Sequence, residues 1–381
     1  MAPTDGARPG LVTQPGLVHD YLLVPRGAER TFAAIADCWP GAPIYTLLYD
    51  EDAVGSLFDD RHPVTASYLQ RLGTRQGSFR YLLPLFPRAV ERLPVGGHDV
   101  LVSSSSAFAH GVRPRPGAVH VCYCHSPFRY AWFERERALE ECPRPARPLL
   151  KLALDRIRAW DLKASERVTH YVANSIGTQE RIAELYGRES TVVHPPVAVD
   201  RFAVGTPRDF LLFVGQIVPH KRVEVAIEAA LAAGLPIRIV GAGPDLARLQ
   251  ATYDRPEVSF LGAVSDAELA DLYAGCLALV VPNIEEFGIA AVEAQAAGRP
   301  VIAVNRGGVR ETVVEGVTGV LVDAEDAGSI AATLRSTDFA GFDPATIRRH
   351  AESFSTEAFQ AKMVELVERI AGGAAHAAVR P

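Results

Sequence analysis

The chain lacks a long hydrophobic run and an apolar leader. None of its apolar stretches approaches the roughly 18–20 residues that a membrane-spanning helix needs. Residues 1–10 are polar and contain Pro and Gly, whereas a secretory signal peptide has a continuous apolar segment near its start. We therefore expect a cytoplasmic protein with no spanning helix.

Positive charge and paired cysteines are also scarce. Lys and Arg number 39 against 45 Asp and Glu, and the net charge of −6 argues against a nucleic-acid partner. The five cysteines form no C-x-x-C pair, so we expect reduced thiols. There is no paired acidic metal motif, and the absence of a complete G-x-G-x-x-G argues against a nicotinamide dehydrogenase.

The composition is that of a globular protein with two cores. The chain has 381 residues, of which 48% are hydrophobic and 22% are charged. Short β-branched runs alternate with helical stretches, which predicts α/β domains with parallel sheets. We place the domains at 1–197 and 198–355, with an aperiodic linker starting near Val197. Residues 356–381 are expected to form a last helix and a disordered Ala/Gly-rich tail from Ala371.

The most informative stretch is 277–305. Leu277–Val281 predicts a buried strand, Pro282 and Asn283 end it, and an acidic loop leads into a helix over 289–297. Any ligand of this unit is expected beyond the carboxyl end of the strand, against the N-terminus of the helix.

Two carboxylates flank that position, Glu285 in the loop and Glu293 in the helix. Ionised glutamates accept hydrogen bonds from hydroxyl groups, whereas the helix start at Phe287, Gly288 and Ile289 offers backbone N–H groups to anions. Hydroxyl acceptors beside anion donors indicate a sugar-nucleotide site. The alternative is a surface loop with scattered acidic residues.

The segment Glu285 to Glu293 resembles the E-x7-E signature of retaining glycosyltransferase family 4, whose members have the GT-B fold. The resemblance implies two Rossmann-like doubly wound domains with a cleft between them and a last helix crossing back to the first domain. It assigns Glu285 to the hydroxyls of the donor sugar and Glu293 to the ribose. Glu286 stands where the family usually has Gly or Asp.

A second segment resembles the family's G-R-L-x-x-x-K loop, which grips the donor pyrophosphate. Gly215 and Lys221 match, but Gln216 replaces the Arg. Losing this charge-assisted contact is expected to weaken the phosphate contact by about 1–2 kcal/mol, with Arg222 among the cations that could compensate.

Two further loops resemble donor-facing turns of the family. Gly27 follows the first predicted strand, as in the family's G-G-x-E turn, and Arg26 stands in place of the first Gly. Two interpretations of Arg26 are open: a second cation for the site, or a solvated surface residue. The backbone at Val264 corresponds to the family's usual base contact, and Ser265 with Glu268 predicts a helix-capping box.

His125 directly follows a predicted strand over 119–124, at the edge where α/β enzymes place chemistry. Residues 125–132, H-S-P-F-R-Y-A-W, resemble a segment of a GDP-mannose-using branch of family 4. The resemblance places His125 over the donor sugar and Arg129 near phosphate or acceptor, and we expect Trp132 to pack. Ser175 is expected to cap a helix.

Residues 71–93 interleave arginines with apolar residues and contain two prolines. Two interpretations are open: a peripheral contact with an anionic membrane at the inner face, or a core helix with a solvated basic face.

The resemblance to family 4 implies a retaining, metal-independent hexosyltransferase, which we expect to act in polysaccharide biosynthesis. It would need no cofactor and would take mannose from GDP-mannose to a glycan, lipid-linked or small-molecule acceptor by front-face transfer. The alternatives are a UDP- or dTDP-sugar donor, a sugar-nucleotide epimerase or hydrolase, and a non-catalytic sugar-nucleotide sensor.

Overall fold

A computed structural model describes residues 14–58, 62–72 and 79–378. The described chain divides into two compact units. Unit 1 extends to Val193 and resumes at Gln360, and unit 2 is His194–Phe359. The change of unit thus falls four residues before the predicted domain boundary at 197, and unit 2 extends to the first turn of the last helix rather than to residue 355.

Unit 1 contains a seven-stranded parallel sheet in the order β3-β2-β1-β4-β5-β6-β7. The central strands are buried on both faces, as expected for a parallel sheet covered by helices. Its strands are β1 Gly16–Leu22, β2 Ile44–Tyr49, β3 Val64–Ala66, β4 Val100–Ser105, β5 Val119–Cys124, β6 His170–Ala173 and β7 Ser190–Val192. Its helices are α1 Gly27–Ala36, α2 Glu51–Val54, α3 Phe86–Val90, α4 Arg135–Glu141, α5 Arg147–Ser165 and α6 Ile176–Tyr186.

Unit 2 contains a six-stranded parallel sheet in the order β10-β9-β8-β11-β12-β13. Its strands are β8 Leu211–Val214, β9 Ile237–Val240, β10 Val258–Gly262, β11 Ala278–Val281, β12 Val301–Val304 and β13 Gly319–Val322. The helices from unit 2 to the end of the chain are α7 Val223–Ala233, α8 Leu246–Thr252, α9 Asp266–Gly275, α10 Ile289–Ala296, α11 Val309–Thr312, α12 Ala327–Ser336, α13 Pro344–Glu352 and α14 Thr356–Ala378.

Both sheets reverse their strand order once, which confirms the predicted doubly wound α/β class. The reversal lies between β1 and β4 in unit 1 and between β8 and β11 in unit 2. In open α/β sheets such a switch point leaves a crevice at the carboxyl ends of the strands, where ligands bind. The loops after these four strands are therefore the places to look for a site.

Two predicted helix caps are present. The hydroxyl of Ser175 accepts a hydrogen bond from the backbone N–H of Thr178 at the start of α6. Ser265 and Glu268 form the reciprocal capping box of α9. These contacts are local in sequence, so spacing alone is enough to predict them.

Strand β4 continues through the serine run to Ser105. Two local predictions need correction. The basic segment forms two 3-10 turns, Tyr68–Leu72 and Phe79–Leu85, followed by the short helix α3, because prolines interrupt it. Arg75 of that segment lies outside the described residues. Helix α14 extends to Ala378, so the Ala-rich tail is helical where disorder was expected, consistent with the high helix propensity of alanine.

All five cysteines are unpaired in the structure. None of the helices in the described ranges is long and apolar enough to cross a bilayer.

Candidate active site

The candidate donor site lies at the switch point of unit 2. Strands β8 and β11 are hydrogen-bonded neighbours there, with Leu212 opposite Leu279. The loop after β8 carries Lys221, and the loop after β11 carries Glu285. The parallel pairing thus brings together two sequence-predicted residues that are 64 positions apart.

Lys221 and Glu285 are in direct contact. The Lys221 ammonium donates to both carboxylate oxygens of Glu285, at 2.7 and 2.8 Å. The side-chain amide of Asn283 donates to the same carboxylate at 2.9 Å. The Lys221 and Glu285 side chains are 22% and 25% exposed, so a ligand can reach this pair. Asn283 was not predicted as a site residue.

The loop that carries Glu285 is held by close backbone contact with a glycine turn. The backbone N–H of Gly308 donates to the Glu285 carbonyl at 2.7 Å. A Cβ atom at Gly307 would lie 2.4 Å from that carbonyl oxygen, and one at Gly308 would lie 2.3 Å from the Cα of Phe287. Only glycine fits at these two positions, and the close contact of the glycine turn with the acidic loop fixes the position of that loop.

Helix α10 begins directly after this loop. Gly288 adopts a left-handed conformation, with φ of 89°, and the helix starts at Ile289, which is 43% exposed. The first N–H groups of a helix have no intrahelical acceptor, and the helix dipole adds partial positive charge, so this end suits an anion. Phe287 is buried and its ring stacks on His194, with centroids 5.4 Å apart.

Glu293 lies further along α10 and is held by an unpredicted partner. The hydroxyl of Tyr273, on the neighbouring helix α9, donates to Glu293 Oε2 at 2.9 Å. A similar unpredicted contact joins His194 Nε2 and Glu311 Oε2, 2.7 Å apart, behind Phe287. No sequence spacing links either pair, because both depend on tertiary packing.

The loop after β8 packs against a G-x-G turn through backbone atoms. Cβ atoms at Gly241 and Gly243 would lie 1.8 Å from the Gly215 carbonyl oxygen and 2.1 Å from that of Ile217. These glycines therefore permit two loops to touch, which accounts for the G-x-G without a nicotinamide site.

The structure gives Arg222 an internal partner. It donates to the carboxylate and the backbone carbonyl of Glu325, both at 2.6 Å, and has a left-handed φ of 52°. Gln216 is exposed, and Val264 is partly buried against the core of unit 2. The fixed position of Arg222 makes it a poor substitute for the missing Arg at 216.

In unit 1, His125 follows β5 at the carboxyl edge of the sheet. Its Nε2 lies 2.8 Å from the hydroxyl of Ser104 on the neighbouring strand β4. Burial lowers the pKa of His125 to about 4, so the imidazole is neutral near pH 7. Burial, together with the nearby His125, lowers the pKa of His19 to about 3, and the His19 ring stacks on Phe32.

The serines at the end of β4 each contact a histidine. Besides the Ser104 contact, Ser103 Oγ lies 2.7 Å from His120 Nε2, and Ser105 Oγ lies 3.3 Å from His110 Nδ1. These buried partners explain why a serine run remains in the strand, since each hydroxyl is paired inside the core.

Asp20 organises the loop after β4, a role that sequence analysis missed. Its carboxylate accepts backbone N–H groups of Ser106 at 2.5 Å, Phe108 at 2.7 Å and Ala109 at 2.6 Å. Burial raises the pKa of Asp20, and the three N–H donors oppose that rise. The residue lies at the switch point between β1 and β4, next to the predicted site loops.

Three other predicted residues of this unit are accounted for. Arg26 precedes α1, and its backbone N–H donates to the Glu29 carboxylate at 3.2 Å. A Cβ at Gly27 would meet no atom within 4 Å, so packing does not require glycine at this position. Arg129 Nη1 lies 3.6 Å from Glu134 Oε1.

Trp132 does more than pack. Its indole N–H donates at 2.7 Å to Asp161, a fully buried carboxylate that also accepts the hydroxyl of Tyr186 at 2.7 Å. Asp161 lies on helix α5, so this hydrogen bond connects α5 with the segment that follows His125. Within the described ranges, no group of three or more His, Cys, Asp or Glu side chains is placed to hold a metal ion.

Comparisons with known proteins find similarity to glycosyltransferases in both halves of the chain. Two family models match the chain, Glycosyltransferase Family 4 over residues 25–201 and Glycosyl transferases group 1 over residues 196–337. Each model matches less than half of the chain, so these matches show similarity to the two families over those residues. Both predicted site segments, 125–132 and 285–293, lie inside the matched ranges.

Curated relatives include D-inositol 3-phosphate glycosyltransferases. The chain is 36% identical over 216 residues to that of Mycobacterium sp. (strain KMS) and 35% identical over 225 residues to that of Streptomyces avermitilis. Each match covers 48% of this chain and 48% of the relative, so the chain spans about half the length of the curated relatives it matches.

Solved structures agree on the GT-B fold. Anabaena Alr3699/HepE in complex with UDP matches with a TM-score of 0.67 at 16% identity, over 93% of this chain and 100% of that one. Sucrose-phosphate synthase from Thermosynechococcus elongatus matches with a TM-score of 0.66 at 16% identity, over 94% and 100%. HepE was also solved with UDP-glucose. That structure matches with a TM-score of 0.63 at 17% identity, over 93% of this chain and 99% of that one.

Proposed function

We propose that the chain is a retaining glycosyltransferase that takes a hexose from a nucleotide sugar bound on unit 2. The observation that carries this proposal is the contact of Lys221 with Glu285 at the start of α10. A cation for phosphate, a carboxylate for sugar hydroxyls and a helix N-terminus meet at one switch point. The similarity of residues 25–201 and 196–337 to the two glycosyltransferase family models supports the same assignment.

The donor diphosphate would contact Lys221 and the N–H groups at the start of α10. Breaking the bond to the sugar leaves negative charge on the diphosphate, and these groups would stabilise that charge. Glu285 would accept hydrogen bonds from sugar hydroxyls, and Glu293 from the ribose. In unit 1, the neutral His125 would stabilise the transition state by a hydrogen bond or dipole rather than as a cation.

For the donor nucleotide we propose UDP. The support comes from similar structures, since HepE was solved with UDP and with UDP-glucose. GDP-mannose is the second candidate, favoured by the segment from His125 to Trp132. The backbone contacts expected near Val264 carry no signal in the sequence that separates the two bases. For the acceptor we propose a glycan, lipid-linked or small-molecule hydroxyl compound, and D-inositol 3-phosphate is the first to test because relatives carry that name.

Product analysis tests the proposal. The protein is incubated with UDP-, GDP- and dTDP-hexoses and D-inositol 3-phosphate, with EDTA present, and the products are analysed by mass spectrometry and proton NMR. We expect a glycosylated acceptor whose anomeric configuration equals that of the donor. An altered sugar nucleotide or free sugar without an acceptor would instead indicate an epimerase or hydrolase, and inversion would contradict the retaining assignment.

A further inference from the structure

A buried tyrosine contacts the carboxylate assigned to the donor ribose. Tyr273 lies on α9, has no exposed surface, and donates its hydroxyl to Glu293 Oε2 at 2.9 Å. Its ring packs edge-on against Phe202, with centroids 5.4 Å apart and planes at 90°. Helices α9 and α10 are in contact, so the tyrosine reaches Glu293 from the core side.

The hydrogen bond between Tyr273 and Glu293 has a fixed donor and a fixed acceptor. Burial and the neighbouring Glu293 raise the pKa of Tyr273 well above its ordinary value, so the phenol keeps its proton. The phenol must therefore donate, and the carboxylate oxygen Oε2 must accept. A hydrogen bond from a buried, rigid ring restricts the rotamers of a glutamate that is otherwise only partly buried.

We propose that Tyr273 is a positioning residue for the nucleotide-sugar donor, acting through Glu293. This inference rests on the proposed function, because it takes Glu293 as the ribose contact. With the carboxylate already oriented, the donor does not have to order it on binding. Without the phenol hydroxyl, the same donor has to order Glu293, and binding weakens while the chemical step is unchanged.

A merely structural role makes a different prediction. If the hydroxyl only satisfies a buried polar group, its removal changes the melting temperature and leaves donor affinity alone. If it positions Glu293, the donor Kd and KM rise and kcat does not, because the lost interaction is made equally in the ground state and the transition state. We expect the rise to be about tenfold, the size of one charge-assisted hydrogen bond.

The test compares Tyr273→Phe with Tyr253→Phe. Tyr253 also lies in unit 2 and donates to a glutamate, Glu228, at 2.8 Å, but outside the candidate site. Titration calorimetry with UDP and UDP-glucose gives the Kd, steady-state assays give kcat and KM, and thermal melts report folding. We expect the higher donor Kd in Tyr273→Phe alone.

A double-mutant cycle makes the test specific. In a Glu293→Ala background, Tyr273→Phe should have no further effect on the donor Kd. If Tyr273→Phe fails to fold, Glu293→Asp replaces it, since a carboxylate that is shorter by one methylene cannot reach both the tyrosine and the donor and should also raise the Kd. An unchanged donor Kd in folded Tyr273→Phe would overturn the inference while leaving the proposed function intact. An unchanged donor Kd in Glu293→Asp would overturn the inference together with the assignment of Glu293 to the ribose. A wild-type protein that binds no nucleotide would overturn both.

Discussion

The pairing of Lys221 with Glu285 shows how single residues prepare the candidate site. Both side chains are partly exposed, and an ion pair of this kind adds only about 0.2–1 kcal/mol to stability. Its importance is therefore for the ligand rather than for the fold. In the absence of donor, Glu285 forms an ion pair with Lys221, the residue that would contact the diphosphate of the donor.

This competition predicts opposite effects on binding and turnover. In Glu285→Gln, a nucleoside diphosphate no longer displaces a carboxylate from Lys221, so calorimetry should show up to about fivefold tighter binding of the bare diphosphate. Sugar transfer should slow, because a neutral amide holds the sugar hydroxyls less strongly. The exposed Glu257→Gln controls for the change in net charge. Weaker diphosphate binding in Glu285→Gln would contradict this account of the pair.

His125 supplies a second prediction at this scale. Because burial lowers its pKa to about 4, His125 stays neutral from pH 5 to 8, and its titration should not shape the pH profile of kcat in that range. Replacement by Gln should lower kcat about 100-fold or more if the ring stabilises the transition state. An acidic limb near pH 6.5 that disappears in His125→Gln would show instead that the histidine titrates during turnover.

Among the elements, the glycine turn after β12 has the clearest mechanical role. A methyl group at Gly308 would overlap backbone atoms of Phe287 and Glu286. Gly308→Ala is therefore expected to displace the acidic loop, to cost about 1–3 kcal/mol of unfolding free energy, and to weaken donor binding. Denaturant unfolding and calorimetry measure the two effects.

Gly97→Ala is the matched control for this change. A Cβ at Gly97 meets no atom within 4 Å, and its backbone does not require glycine. Its unfolding free energy should stay within about 0.5 kcal/mol of the parent value. Equal effects of the two substitutions would mean that the close approach at Gly308 is tolerated.

The elements also show what the sequence could predict. The order of strands and helices and the caps at Ser175 and Ser265 follow from local patterns. Contacts such as Asp20 with Ser106, 86 residues away, or Tyr273 with Glu293 do not. Local spacing predicts which residues face the switch point, whereas their supporting partners depend on how strands and helices pack.

Buried neutral histidines couple the stability of unit 1 to pH. His19 and His120 are 2% and 0% exposed, and burial lowers the pKa of each to about 3. Below about pH 6.5 the unfolded chain binds protons that the folded unit does not. The free energy of unfolding should therefore fall as the pH drops from 6.5 toward 3, by at most about 1.4 kcal/mol per pH unit for each histidine.

Denaturant unfolding between pH 7.5 and 4.5 checks this prediction. The His120→Gln variant should lose one histidine's share of the slope, although it is expected to be less stable at pH 7 because Ser103 loses its partner. An unfolding free energy that is constant or rises on acidification would contradict the assignment of these histidines as neutral.

For the whole molecule, the central claim is that unit 2 binds a nucleotide sugar through Glu285, Glu293 and Lys221. The most direct measurement is thermal stabilisation of the full chain by UDP, GDP and their hexose conjugates in the presence of EDTA. A ligand at 100 times its Kd should add about 2.7 kcal/mol to the unfolding free energy. We predict that UDP compounds raise the melting temperature of the wild type, with GDP compounds as the second candidate, and that Glu293→Ala loses the shift. No shift with any nucleotide in a folded sample would contradict the account.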